Sequence, residues 1–463
     1  MHAPAGGLPR SLRDAARQHW HHVVMLAWLG VAVAVYGRHG GQSWHFVATG
    51  ARSILCMSGD DPAGTPCGLH VYAQHPDVQI GPLSLLVAAP AVAFRYRDGF
   101  DIARVVMALL GFVILLLVER GARLARRTDP DRLRLRVLLA SLAFFPAWAD
   151  LAVGFGHLDD VLALTFTACA VHAVTRGNQR TAGWCLALAT LSKPWAAAFL
   201  PLLLGLPRGI RLRAAAHAVV PVIVAALPFV LADRQTLRAG SFRIPNADAS
   251  SLRVLGVTDA TPPWDRPAQL VIGLLLGAVA ARVGRWQAVI MLAAATRIML
   301  DPQVYSYYTA GVLLGAVIWD IQVRPGRTVP LWTWAVFGAL FGVRYLPLAP
   351  TTLGVLRLTI CLVIIVCAAW APGLLAHVSP PRRWPHPDLA AQAAGPPLPT
   401  QPGPGGDPQP GPESVRGSGD PVSGNPASGD DVPGSREPAA AAPGRPGRAS
   451  RHPQRDRPRP AGG

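Results

Sequence analysis

Residues 154–195 read GFGHLDDVLALTFTACAVHAVTRGNQRTAGWCLALATLSKPW, and they set His157, Asp159, Asp160 and Lys193 inside or beside long apolar runs. Runs this continuous lack the alternation of a half-buried strand, so the stretch predicts helices. Lys193 is the only lysine among 43 basic residues; all the others are arginine. A chain that writes nearly every cation as arginine has kept one compact ammonium in a hydrophobic segment. Either it is a chance survivor of compositional drift, or the position needs a point charge on a thin stem, which a planar guanidinium does not imitate.

The rest of the chain gives that stretch its setting. Of 463 residues, 51% are hydrophobic and 15% charged, with a mean hydropathy of +0.30, which is too apolar for an ordinary soluble domain. Apolar runs of about 15–20 residues recur from Val23 to Trp370, the length a helix needs to cross a hydrocarbon core. Only helices or closed barrels satisfy their backbone in lipid, and a barrel would alternate. The expectation is an all-α polytopic membrane protein. The net charge of +17 would point to nucleic acid in a soluble protein. Here the arginines fall mainly in short loops, where the cytoplasmic bias of basic loops accounts for them, and no nucleic-acid partner is expected.

Reading the charges in order gives a topology. Arg10, Arg13 and Arg17 hold residues 1–22 in the cytoplasm, and Val23–Tyr36 is the first span. Residues 37–99 form an outer region, in which Gly37–Ile80 is a long loop whose aromatics argue against disorder. Within it, Pro82–Phe94 is too short to cross and is read as a re-entrant or interfacial helix. The second span, Phe100–Val118, then runs into a cytoplasmic cluster of Arg120, Arg123, Arg126, Arg127, Arg132, Arg134 and Arg136. Spans three and four, Val137–Val153 and Val161–Thr175, place GHLDD on the outer face. The stretch Thr181–Leu206 has basic flanks at both ends, so it must turn back, and Ser192-Lys193-Pro194 near its middle is where proline breaks a helix. Continuing past a second outer loop, 232–267, gives about twelve spans with both termini cytoplasmic. Residues 371–463 are Pro- and Gly-rich and nearly free of aromatics, as expected of a disordered cytoplasmic tail. Cys56 and Cys67 flank a short polar stretch in the first outer loop, where a disulfide can form. The other four cysteines lie in apolar runs, and no CxxC or His-rich pattern points to a metal.

Ionisable groups at membrane depth usually pair or line a cavity. The topology brings His157, Asp159, Asp160, Lys193, Arg297, Asp301 and Arg344 to the outer ends of helices, where one outward-opening cavity can satisfy them together. Each also has a plainer reading. Asp159 and Asp160 can serve as cap and first-turn carboxylates of a helix. His157 can be an interfacial histidine. Arg297 and Asp301, at i and i+4, can be a local ion pair. Asp60 and Asp61, before Pro62, read as turn residues, whereas Asp77 in HPDVQIGP has the better claim to chemistry.

Three strings, GLHVYAQHPDVQIGPLSLLVAAP, GFGHLDD and TAGWCLALATLSKPWAAAFLPLLL, resemble those of the GT-C superfamily of membrane glycosyltransferases, in particular glycosyltransferase family 87. The resemblance runs over about residues 23–370. It implies transfer of a hexose or pentose, mannose among them, from a polyprenyl-phosphate sugar to a lipid or glycan acceptor on the outer face of the plasma membrane. A carboxylate would act as base on the acceptor hydroxyl. Lys193, with Arg297, would hold the lipid phosphate as charge develops on leaving. Family members place an acidic residue shortly after the first span, where this chain has Ser43, so Asp77, Asp159 or Asp160, with His157 beside them, is left to serve. No cofactor is required, and the need for a divalent metal is left open. Two other classes fit the same charges: a transporter or lipid-sugar flippase, although no internal repeat is visible, and a non-catalytic membrane scaffold.

Overall fold

The computed structural model describes residues 10–57, 67–125, 129–324 and 327–370; the tail, Asp60 and Asp61 lie outside them. No strand occurs among the described residues. The principal helices are α1 (Arg10–Tyr36), α2 (Trp44–Ile54), α3 (Pro82–Val92), α4 (Tyr96–Leu124), α5 (Pro130–Ala149), α6 (Leu158–Thr175), α7 (Gln179–Ser192), α8 (Arg211–Ala232), α9 (Asp265–Arg282), α10 (Val289–Leu300), α11 (Thr309–Val323), α12 (Leu331–Val336) and α13 (Pro350–Trp370). Local chemistry starts several of them. Asp129 accepts from the Arg132 amide at 3.1 Å with Pro130 at the first helical position of α5, and Asn178 accepts from the Thr181 amide at 3.0 Å to open α7.

Six helical segments among the described residues are long and apolar enough to cross a membrane: 19–36, 96–124, 130–155, 158–175, 208–232 and 350–369. Their burial separates centre from rim. The apolar windows on α5 and α6 are 72% and 78% buried, whereas those on α1 and α8 are 22% and 17% buried. α1 and α8 therefore turn Val23, Val31, Val35, Ile223 and Val224 outward, an apolar rim around the bundle. Shorter apolar helices at 82–92, 194–205 and 286–300 fill the interior and its edges.

Several boundaries differ from the sequence reading. α1 begins at Arg10, so the basic residues placed ahead of the first span are part of its helix. Residues 37–80 are not one long loop: α2 lies there with Trp44, Val47 and Ala51 buried, because its apolar residues recur at helical spacing. Arg136, assigned to the basic cytoplasmic cluster, is buried and donates to the Asp320 carbonyl, since it lies nearly two turns inside α5 rather than in the loop. Cys56 and Cys67 form a disulfide.

Candidate functional site

Three junctions assemble the site. α5 ends in a wider, π-helical turn over Asp150–Phe155, a form that often sits at functional sites. Gly156 follows at φ +72°, a left-handed conformation that favours glycine, and releases the chain into α6 at His157. Asp159 and Asp160 thus occupy the first turn of α6, where the helix dipole favours negative charge. α7 stops at Ser192 because the residue before a proline is driven extended: Lys193 has φ −146° and ψ 114° ahead of Pro194.

The segment preceding α3 is sewn to that break. The Gly81 amide donates to the Ser192 carbonyl at 2.9 Å, and Ser84 Oγ donates to the same oxygen at 3.1 Å. A Cβ on Gly81 would lie 2.0 Å from the Leu191 carbonyl oxygen, so only glycine fits. This fixes the Asp77 loop beside Lys193.

The charged groups then meet. Lys193 Nζ donates to Asp159 Oδ2, and lies 3.9 Å from Asp160 Oδ2. Arg297 Nη1 donates to Asp160 Oδ1 at 2.9 Å, as does Trp195 Nε1 at 2.9 Å. His157 Nδ1 lies 3.4 Å from Asp159 Oδ1. The Arg297 guanidinium is also stacked between rings, 4.3 Å from the Trp195 centroid and 4.6 Å from that of Tyr308. Asp159 is fully buried and the Lys193 side chain only 14% exposed. At this depth each carboxylate needs its cation, because an unpaired buried charge would cost several kcal/mol, on the order of 3–5.

A cavity of about 990 Å³ opens beside this network. Asp77, His157, Asp159, Lys193 and Arg297 all line it. Asp160 does not; it is turned away into the packing around Trp195, Arg297 and Tyr308. The geometry departs from the sequence reading at two further points. The acids of α6 do not cap it: His157 is the residue at the cap position, and it makes no capping bond. Arg297 approaches Asp301 only to 3.9 Å, and its short contact is with Asp160, 137 residues away in sequence.

Sequence reasoning gave no role to several other wall residues. Ser43 lines the cavity with Asp77, and so do Tyr305, Tyr307 and Tyr308. The Tyr305 and Tyr307 rings stack, Tyr308 meets Tyr307 edge to face, and the His157 ring lies tilted against Tyr307 with centroids 4.1 Å apart. Asp265 and Arg266, at the start of α9, also line it. Asp265 is buried, its Oδ2 accepts from Gln269 at 3.0 Å and its Oδ1 has no hydrogen-bond partner. Burial, then the nearby Asp301 carboxylate, pushes the Asp265 carboxyl up to about 7. A second ion pair joins buried Asp150 to half-buried Arg344: Arg344 Nη1 donates to Asp150 Oδ2 at 3.0 Å, and Ser306 Oγ donates to the same oxygen. The run YSYY after Arg297 was the one signal in the sequence that could have flagged the aromatic wall.

His157, Asp159 and Asp160 offer atoms within 4.8 Å of one another, a spacing that a metal ion can bridge. Lys193 occupies Asp159 Oδ2 and Arg297 occupies Asp160 Oδ1, which leaves Asp159 Oδ1 and Asp160 Oδ2 turned toward His157 Nδ1 at 3.4 and 4.0 Å. Comparison with protein-family models, with curated proteins and with solved structures finds no match to this chain.

Proposed function

We propose that the chain is a multi-pass plasma-membrane glycosyltransferase with a GT-C-like bundle of about twelve spans, both termini in the cytoplasm. It transfers a hexose or pentose from a polyprenyl-phosphate sugar to a lipid or glycan acceptor on the outer face. The observation that carries this reading is the cavity of about 990 Å³ that joins the exposed Asp77 carboxylate, the cations Lys193 and Arg297 and a tyrosine wall among its lining groups. That volume lies at the upper end of the range for small-molecule sites, roughly 300–1,000 Å³. Aromatic faces suit the apolar face of a sugar ring, and a bundle with outward apolar surfaces gives a polyprenyl tail its solvent.

Asp77 is the carboxylate best suited to act as base. It is exposed to the cavity, whereas Asp159 is bound by Lys193 and Asp160 faces away. Asp77 takes the proton of the acceptor hydroxyl, the oxygen attacks the anomeric carbon from the face opposite the phosphate, and the carbon–oxygen bond to the phosphate breaks with inversion. Lys193 and Arg297 stabilise the charge that collects on the departing phosphate, and their carboxylate partners hold them in place. His157 positions Asp159.

Supply of radiolabelled polyprenyl-phosphate sugars to membranes containing the wild-type chain should label lipid or glycan. Lys193→Ala and Asp77→Asn should each lower that transfer by about 100-fold or more. Absence of transfer from every donor would sink the reading. Movement of the lipid-sugar across proteoliposomes without bond formation would favour a flippase, and function that survives loss of Lys193 but not of residues 371–463 would favour a scaffold.

A further inference from the structure

The end of the bundle away from the cavity carries another ionisable cluster. His21 precedes Tyr36 by 15 residues on α1, about 22 Å along the helix axis. Tyr36 reaches the Arg344 group beside the cavity, so His21 is remote from it. His21 is fully buried and Glu119, on α4, is 2% exposed. His21 Nε2 lies 3.2 Å from Glu119 Oε1 and His22 Nε2 lies 3.0 Å from Glu119 Oε2. Adjacent helical residues do not ordinarily face one another. Here both rings fold toward one carboxylate, with centroids 3.9 Å apart.

We propose that His21, His22 and Glu119 bind a first-row divalent transition metal, zinc above all, that clamps α1 to α4. The three ligand atoms lie within 4.8 Å of one another. Bonds of about 2.0–2.2 Å need ligand–ligand edges of roughly 3.0–3.6 Å, so a small closure of the rings suffices. Two imidazoles and a carboxylate form a borderline donor set that suits zinc and its neighbours better than calcium or magnesium.

Charge and protons agree with this assignment. Arg123 now balances Glu119 from one turn along α4; its side chain is 40% exposed, so it can swing into solvent when a dication takes its place. His19 Nδ1 lies 3.4 Å from His22 Nδ1. With the His22 Nδ1 proton donated to His19, His22 Nε2 points a lone pair at a carboxylate oxygen 3.0 Å away, and a cation between them removes the repulsion. With the proton placed the other way, His22 Nε2–H simply hydrogen-bonds Glu119. The experiment separates the two.

Full-length protein carrying a tag without histidines is stripped with chelator and titrated with Co²⁺, reading visible d–d absorption and bound cobalt by mass spectrometry. The expected result is about one Co²⁺ per chain at this site, with affinity falling about 10- to 100-fold in Glu119→Gln and uptake lost in the His21→Ala/His22→Ala double variant. Uptake absent in the wild type, or retained in the double variant and lost in Asp159→Asn, overturns the assignment. Should the double variant fail to fold, Cu²⁺-loaded wild type decides: pulsed EPR should show coupling to two imidazole nitrogens, and none would refute the site. The outcome does not depend on whether the cavity transfers sugar.

Discussion

On the α6–α7 side of the cavity, Asp159 and Asp160 each sit against a cation, Lys193 and Arg297 respectively. At the start of α9 the same cavity is lined by Asp265, buried close to Asp301, and by Arg266, which makes no ion pair among the described residues. The first arrangement keeps every charge at depth by matching it. The second relieves its mismatch by holding a proton: Asp265 gives up its charge until about pH 7. Matched charge is stable and insensitive to pH, while unmatched charge is adjustable near neutrality.

Removing one member of the matched side should have the largest effect. Lys193→Ala, or Asp159→Asn alone, should destabilise the purified chain by about 3–5 kcal/mol in denaturant unfolding. The pair Lys193→Met/Asp159→Leu should recover most of that loss. A double variant as unstable as the singles would break the comparison. Gly81→Ala comes next, because its Cβ would strike the Leu191 carbonyl and displace the Lys193 break; a loss of about 1–3 kcal/mol is expected in the same measurement. Trp195→Phe removes one of two donors to Asp160 Oδ1 while Arg297 remains, so about 1 kcal/mol should be lost.

Asp265→Asn tests the unmatched side through pH. The folded chain keeps the Asp265 proton up to about pH 7, whereas the unfolded chain loses it near pH 4. Between these values the folded state binds more protons, so this contribution to stability falls as pH rises from about 4 to 7 and is level above. The variant should therefore melt roughly 2–4 °C above wild type at pH 8 and show no advantage at pH 4. An advantage independent of pH would mean the carboxyl is ionised throughout. Asp77→Asn should be the mildest in stability, within about 0.5 kcal/mol, because the side chain is exposed. Loss of sugar transfer with stability intact would separate chemistry from scaffolding.

Much of the bundle was legible because apolar periodicity and proline are local. The break at Lys193-Pro194 and the return of GHLDD to the same end follow from a few residues each. Asp77, His157, Asp159, Lys193 and Arg297 share a cavity because loop charge sorts helix ends by side. What was not legible depends on rotation about a helix axis. Asp159 and Asp160 are neighbours in sequence, yet one faces the cavity and the other faces Trp195 and Arg297. Nothing local told Arg297 to prefer Asp160 over Asp301, four residues on. Asp265 falls in the stretch 232–267 that reads as an outer loop, since the burial that perturbs it comes from α10 and the chain after it. The pairing of Asp150 with Arg344 spans 194 residues and has no sequence signature.

Because Lys193 carries the one ε-amine in the chain, it is also a ready-made chemical reporter. An amine-reactive reagent can modify only that side chain and the α-amino group, so a single peptide mass reads its accessibility. Reaction requires the ammonium to leave Asp159 and shed its proton, which makes the labelling rate a clock for opening of the ion pair. A ligand whose phosphate sits on Lys193 would slow that clock, and candidate donors can be ranked by protection before any product is detected.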